Sequence, residues 1–564
     1  MDEARLARER EERLVARNER RRARGQETWG SPEPVPDGVP VPAPAPGGER
    51  RRRLALSTII FAGATAVSRV IGLVREMVAT YYFGAQGPIN SFTVAFQLPN
   101  LVRALVADAA LSSAFVPVFS GLLEKGERKR AWRVASSLFW LILLGLGGIT
   151  AFLMLIAPLL LKPFHASDPE LAVGLARVLF PIVVLLGLSG IVVGILNSYD
   201  HFTVPALTPV AWNLAIILGL VLGVPAVDTS DAKLYVYAGS ILVATFIQFL
   251  LPLPWLRGRD DRLRLVIDWR DPAVAQVLKL MIPVTIGLGL ININALIDTF
   301  FASRFIDANL APAAINKAFL IYMVPQGVFS VAVATVLFPS LSRQAARGDM
   351  AAHGDTVARG LRQIVFLLVP SSIACAVLAE PIVRLLYQRG AFTEDQTIVV
   401  AYALAAFAIG LTFNGTMLML NRAFFSLQEN WIPTAVALAN LAVNAILDAL
   451  FFHLGVWGIP LSTSIVNICG TAALLVLLRR RDSALDLRNL TGVFLRVMVA
   501  GAVFAAVAWP VWKGLDSVLG RSAAAQVVSL GVALGLGVAA YLGVCAAFGL
   551  RELQALLSFR GRRT

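Results

Sequence analysis

The chain has 564 residues, 57% of them hydrophobic and only 15% charged, with a mean hydropathy of +0.70. These values exclude a soluble globular protein and fit an all-α polytopic membrane protein. The formal charge of +14 does not argue for nucleic acid, because the basic residues sit in a terminal tail and in short loops between apolar spans. That is the positive-inside pattern, which meets anionic lipid.

Residues 1–53 differ from the rest: arginine-rich at first, proline-rich from Pro32 to Pro46, and closed by Arg51–Arg53. This tail is expected to be disordered, with no signal-peptide core, and the basic cluster beside the first span assigns the N-terminus to the cytoplasm. Fourteen apolar spans follow, each long enough to cross about 30 Å of hydrocarbon. Their limits are 54–83, 90–123, 134–162, 168–198, 206–225, 233–256, 273–304, 312–342, 359–387, 394–426, 432–454, 457–479, 490–514 and 523–550. Basic loops such as EKGERKRAWR and RGRDDRLR alternate with base-poor ones such as FGAQGPI and HASDPE, so the basic tail at 551–564 is also cytoplasmic. Cys375, Cys469 and Cys545 fall in apolar segments and imply no disulfide framework.

An internal repeat divides the spans. Pro99 in QLPNLV answers to Pro325 in MVPQGV at an offset of 226 residues, Pro158 to Pro381 at 223, and Pro205 to Pro433 at 228. Spans 1–6 (54–256) and 7–12 (273–481) then form two six-helix lobes, with spans 13 and 14 (490–550) added. Transporters built from two repeats place their substrate at the repeat interface and rock one lobe against the other.

The chemistry concentrates between Ser68 and Ser120, where Arg69, Arg75, Glu76, Arg103 and Asp108 lie at membrane depth. An ionised group near a bilayer centre costs roughly 2.5–3.5 kcal/mol on insertion scales, so these groups face a polar interior. Arg69 and Arg75 lie about 60° to either side of Gly72 on a helix, bracketing a position with no side chain. Arg103 follows Pro99 and Asn100. Three arginines against two carboxylates leave a net positive site, and the guanidinium fork suits phosphate or carboxylate, so an anion is the expected ligand. The alternative is a structural clamp in which each arginine pairs with Glu76, Asp108 or a carbonyl.

Several motifs resemble one family: SRVIGLVRE at 68–76, FGAQGPINSF at 83–92, VAFQLPNLVRAL at 94–105, SSAFVPVFS at 112–120, ILNSYDHFTVPALTPVAWN at 195–213, FFAS at 300–303 and PQGVFSVAVATVLFPSLS at 325–342. They are similar to the signature of the MurJ (MviN) family of lipid II flippases. That resemblance implies a multidrug/oligosaccharidyl-lipid/polysaccharide exporter fold of fourteen helices in a bacterial cytoplasmic membrane. It also implies a cationic cavity for the diphosphate and sugars of lipid II, with its arginines at Arg69, Arg75 and Arg103. Glu76 matches the family's acidic residue, and Asp108 stands where glutamate is common. Two positions depart from the pattern. Asn90 replaces an aspartate near the outer gate, and Leu320 replaces an arginine of the eighth helix. Lys317, one turn from Leu320, either restores that cation or extends to the outer interface.

A second constellation comprises Asp298 on span 7, Asn444 and Asp448 on one face of span 11, and Ser464 on span 12. Asp298, Asp448 and Ser464 lie at a matched depth of about 9–10 Å from the outer helix ends. Hard oxygen ligands suit a sodium ion, or a proton shared by the acids, and some members of the resembled family bind sodium at similar positions. Two independent helix–helix contacts are the plainer alternative. No Walker-type phosphate loop or metal-spaced histidine cluster is present, so the chain reads as a transporter rather than an enzyme. Its energy then comes from an ion gradient or the membrane potential. The expected partners are lipid II, the phospholipid bilayer, and cell-wall synthesis proteins reached through the N-terminal tail, with no nucleic acid. An exporter of another polyprenyl-linked saccharide or of drugs, or a membrane scaffold, are the competing readings.

Overall fold

In the computed structural model, residues 67–106, 109–199, 201–481, 487–550 and 552–553 are described. The tail 1–53, residues 54–66 of the first span, Asp108 and most of the C-terminal tail lie outside them. Among the described residues all regular structure is helical, and eleven helices are long and apolar enough to cross a membrane. Large apolar side chains point outward along them. Leu155 and Val336 are each 75% exposed, while Asn90, Asn444 and Asp448 are fully buried. A hydrocarbon solvent requires that inversion, and the chain is an integral membrane protein.

The helices run in order as α1 (67–83), α2 (Ile89–Val106), α3 (Ala109–Glu124), α4 (Arg128–Leu161), α5 (Pro169–Leu179), α6 (Pro181–Ser198), α7 (Thr203–Gly223), α8 (Ser230–Leu250) and α9 (Pro272–Phe301). They continue as α10 (Ala311–Pro325), α11 (Val331–Ala346), α12 (Met350–Val377), α13 (Ala379–Tyr387), α14 (Glu394–Ser426), α15 (Trp431–Phe451), α16 (Gly458–Arg481), α17 (Leu487–Leu519) and α18 (Ala523–Ala547). Their starts carry side-chain caps: Asp168 accepts from Leu171 N, Asp271 from Ala273 N, Asp349 from Ala352 N and Ser522 from Ala525 N. Each such cap contributes about 1 kcal/mol.

The span containing α10 and α11 is continuous but carries a π-turn, Gln326–Ser330, immediately after Pro325. Proline supplies no N–H, so the helical ladder is already interrupted where the extra residue is inserted. One apolar core joins α1, α2, α5, α7 and α8 to α10, α12, α14 and α16. Another joins α3, α4, α6 and the start of α9. A third fastens the α17–α18 hairpin to α12, with Tyr541 donating to the Phe366 carbonyl at 2.6 Å.

The segment 257–271 between α8 and α9 is laid along α4. Trp140 Nε1 donates to the Arg264 carbonyl at 2.8 Å, and the Ser136 and Ser137 hydroxyls accept from Arg264 N and Asp268 N at 3.1 Å each. Arg128 pairs with Asp260 at 2.6 Å, and Tyr199 donates to the same carboxylate at 2.7 Å. Burial, reinforced by that bond, pushes the Tyr199 phenol up to about 12.

Candidate functional site

Helix α1 presents Arg69, Gly72, Arg75, Glu76 and Thr80 over three turns. Glu76 is the hub. Its carboxylate lies 3.6 Å from Arg75 Nη2 on one side and 3.4 Å from Lys317 Nζ on the other. Thr80, four residues on and therefore on the same face, accepts from Lys317 Nζ at 2.6 Å. The ammonium also sits 5.4 Å from the Tyr387 ring centroid, and the Arg75 guanidinium lies 5.0 Å over the Trp212 ring. Lys317 is only 4% exposed. It does not reach an interface, and with Arg75 it shares the single carboxylate of Glu76.

Arg69 is different. Its side chain is exposed, and among the described residues it has neither a hydrogen bond nor an ion pair. Its guanidinium lies against Gly327 in the π-turn. The space beside Gly72 is bounded by α7: a methyl group there would stand in ordinary contact with Asn213 Oδ1 at 3.7 Å, and Asn213 Nδ2 bonds the Pro209 carbonyl at 2.9 Å. Arg103 is half-buried and engaged in the last turn of α2, and Asp108 lies outside the described residues.

Asn90 closes one end of this arrangement. Its Nδ2 donates to the carbonyls of Ala85, Gly87 and Asn309 at 3.0, 3.2 and 2.5 Å, while its Oδ1 accepts from Ala313 N at 2.9 Å. The loop before α2 is thus tied to the start of α10. Gln396 adds a bond from Ala85 N at 2.8 Å, and Ala391 N donates to the Tyr81 carbonyl at 2.9 Å. An aspartate could accept from Ala313 but could not donate to three carbonyls.

The second constellation is partly assembled. Asn444 Nδ2 donates to Asp298 Oδ1 at 2.7 Å and to Asp448 Oδ2 at 3.0 Å, so one amide holds two carboxylates. Asn294, one turn before Asp298, donates to its other oxygen at 3.3 Å. Asn444 Oδ1 and Asp448 Oδ1 are buried with no protein partner. One orphaned amide oxygen and one orphaned carboxylate oxygen, with the Asp298 carboxylate beside them, are a donor set that fits a small hard cation. Ser464 does not join them. Its hydroxyl bonds the Ala406 carbonyl at 2.6 Å and accepts from Gly410 N at 3.0 Å, bracketing α14 to α16. Ser462, two residues earlier on α16 and therefore about 200° away around the helix, is the serine on the Asp448 side, and its hydroxyl donates to the Gly458 carbonyl at 3.2 Å.

Sequence reasoning missed Thr80, Trp212, Asn213, Gly327, Tyr387, Asn294 and Ser462. Asn294 had a signal: Asn-x-x-x-Asp occurs at 294–298 just as at 444–448. The others depend on which helices become neighbours.

A family model described as lipid II flippase MurJ matches residues 79–519. The chain belongs to the MurJ family. The match covers Asn90, Arg103, Asp298, Lys317, Asn444 and Asp448 but begins after Arg69, Arg75 and Glu76, so the reading of those three rests on geometry and motif. Among curated MurJ relatives, a probable lipid II flippase of Rhizobium tropici is 31% identical over 457 residues, covering 80% of this chain and 85% of the relative. A lipid II flippase of Burkholderia cenocepacia is 32% identical over 448 residues, covering 76% and 84%. Among solved structures, a MurJ in an inward closed conformation superposes with a TM-score of 0.72 at 24% identity, covering 87% of this chain and 98% of that one. An inward-facing multidrug transporter of the MOP superfamily gives 0.63 at 17% identity, covering 73% and 95%. These two likenesses establish the fold.

Proposed function

We propose that this chain is a lipid II flippase that carries its undecaprenyl-diphosphate-linked substrate from the cytoplasmic to the outer leaflet by alternating access. Family membership supports the substrate, and one observation carries the mechanism: Arg69 is an exposed cation with no hydrogen bond or ion pair among the described residues, two turns from the Arg75–Glu76–Lys317 cluster, in which two cations share one carboxylate. A diphosphate entering there meets a free guanidinium at Arg69 and a second at Arg75, which Glu76 holds only at 3.6 Å. Arg103 completes the cationic face. The cycle is then a rocking of two six-helix lobes, 54–256 and 273–481, within a fourteen-span scaffold whose last pair, 490–550, follows the second lobe.

Both termini are cytoplasmic in this reading, and the Asn90 latch lies at the outer end. Asp298, Asn444 and Asp448 hold the coupling ion, sodium or a proton. Moving one charge through 100 mV of membrane potential supplies roughly 2.3 kcal/mol, enough to bias the rocking about fifty-fold. The chain performs no group transfer of its own, and the N-terminal tail is the surface offered to wall-synthesis proteins.

The test is outward appearance of lipid II in cells depleted of their own flippase, comparing the intact chain with Arg69→Ala, Arg75→Ala and Arg103→Ala at matched expression. Restoration by the intact chain and loss in all three variants is the expected result. Failure of the intact chain, or three silent substitutions, would refute the assignment.

A further inference from the structure

Gly327 belongs to the PQGVFSVAVATVLFPSLS motif, to which no role has so far been attached. It is the second residue of the π-turn Gln326–Ser330, in the helix that faces α1. A β-carbon built on it would overlap Arg69 Nη1 and stand 2.7 Å from Cζ and 3.1 Å from Nη2. The whole guanidinium therefore lies over the glycine backbone, in volume that any other residue would claim. π-Turns insert one residue into a helix and are frequent at functional sites. Here the turn presents a bare backbone patch to a charged side chain from across the interface.

The chemistry of the seat matters. Lys317, on the same span, meets a carboxylate, that of Glu76. Arg69 meets a residue with no side chain, so it is oriented without being neutralised, and its N–H donors remain available. A carboxylate at the same place would hold the guanidinium as firmly but would compete with any anionic ligand.

We infer that Gly327 is a positioning residue: an uncharged platform that fixes the Arg69 guanidinium for the diphosphate of the substrate. The inference rests on the proposed role of Arg69 as a diphosphate contact. Gly327→Ala displaces only the far end of a flexible side chain, so the fold should tolerate it.

The experiment uses the full chain in proteoliposomes, with lipid II as the transported probe. The variants are Gly327→Ala, Arg69→Lys, the double variant and Arg69→Ala. Gly327→Ala should raise the apparent KM for lipid II about tenfold, with the smaller part of the effect in kcat and the thermal midpoint unchanged. Arg69→Lys removes the planar fork and should raise KM similarly, and the double variant should be no worse than either alone. A silent Gly327→Ala beside a damaging Arg69→Ala would overturn the platform and leave the cavity reading standing. So would additive KM effects in the double variant. A silent Arg69→Ala would remove the cavity reading and the platform together.

Discussion

Lys317→Met tests whether the cluster around Glu76 joins α1 to α10 energetically. The substitution keeps the length and apolar character of the stem and deletes one charge. At 3.4 Å and an effective dielectric of about 20, the direct attraction is about 5 kcal/mol before desolvation. Removing one partner of a buried pair typically costs about 3–5 kcal/mol, chiefly because the other charge is left uncompensated. Arg75 stands 3.6 Å from the same carboxylate and takes up part of the deficit, so the lower end, about 3 kcal/mol, applies. For a chain of this length that corresponds to a fall of about 2–3 °C in the thermal midpoint. The assay is a double-mutant cycle on detergent-solubilised protein with Lys317→Met, Glu76→Gln and the double variant. Removing both charges should restore part of the loss, because neither is then buried alone and only Arg75, which keeps its contact with the Trp212 ring, gives up a partner. Strict additivity of the two single effects would refute the pair.

The latch and the ion cluster yield two further expectations. Asn90→Asp replaces an amide that donates to three carbonyls with a carboxylate that repels them, at a cost of about 2 kcal/mol to the closed state, or roughly thirtyfold in population. Spin labels at Gln86 and Asp307 should then report longer distances, and an unchanged distance distribution would contradict the latch. Asp448→Asn should abolish the dependence of transport on sodium or pH, whereas Ser464→Ala should lower thermal stability and leave that dependence intact. The reverse pattern would return Ser464 to the ion site.

Charge at membrane depth is legible without coordinates, because hydrocarbon leaves an ionised side chain few places to go. Arg69, Arg75, Glu76 and Arg103 can be picked out that way, as can the oxygen cluster at Asp298, Asn444 and Asp448, whereas Lys317 stands out only against the family pattern at Leu320. Partnership is not legible. Whether Lys317 reaches an interface or turns inward depends on α1 and α13 meeting α10, which brings Glu76, Thr80 and Tyr387 around its Nζ. Local periodicity cannot see that. Gly72 shows the same gap: the 60° spacing to each arginine follows from the helix, but the packing of Asn213 into the space follows from α7. Ser464 illustrates a third kind of miss. Position along a helix is legible from residue number, but azimuth toward a particular neighbour is not, and Ser464 turns to α14 rather than to Asp448.

The contacts along α1 are graded in a way that bears on the transport cycle. Tyr81 and Arg69 are twelve residues apart, about 18 Å along the axis. At the Tyr81 end, a backbone bond to Ala391 is followed within one to two turns by the buried Thr80–Lys317 and Glu76–Lys317 contacts. At the Arg69 end, α1 meets the α10–α11 span, among the described residues, through a guanidinium over a glycine. Separating the first end exposes a buried carboxylate and ammonium to each other's loss. Separating the second breaks no ion pair among the described residues. The two ends of one helix thus resist opening unequally, and the proposed inward-facing state is the one that leaves the stronger end closed. An anion bound at Arg69 and Arg75 changes that balance, because it supplies Arg75 with a partner other than Glu76 and leaves the carboxylate to Lys317 alone. Substrate binding is then felt at the closed end through a single shared side chain, Glu76.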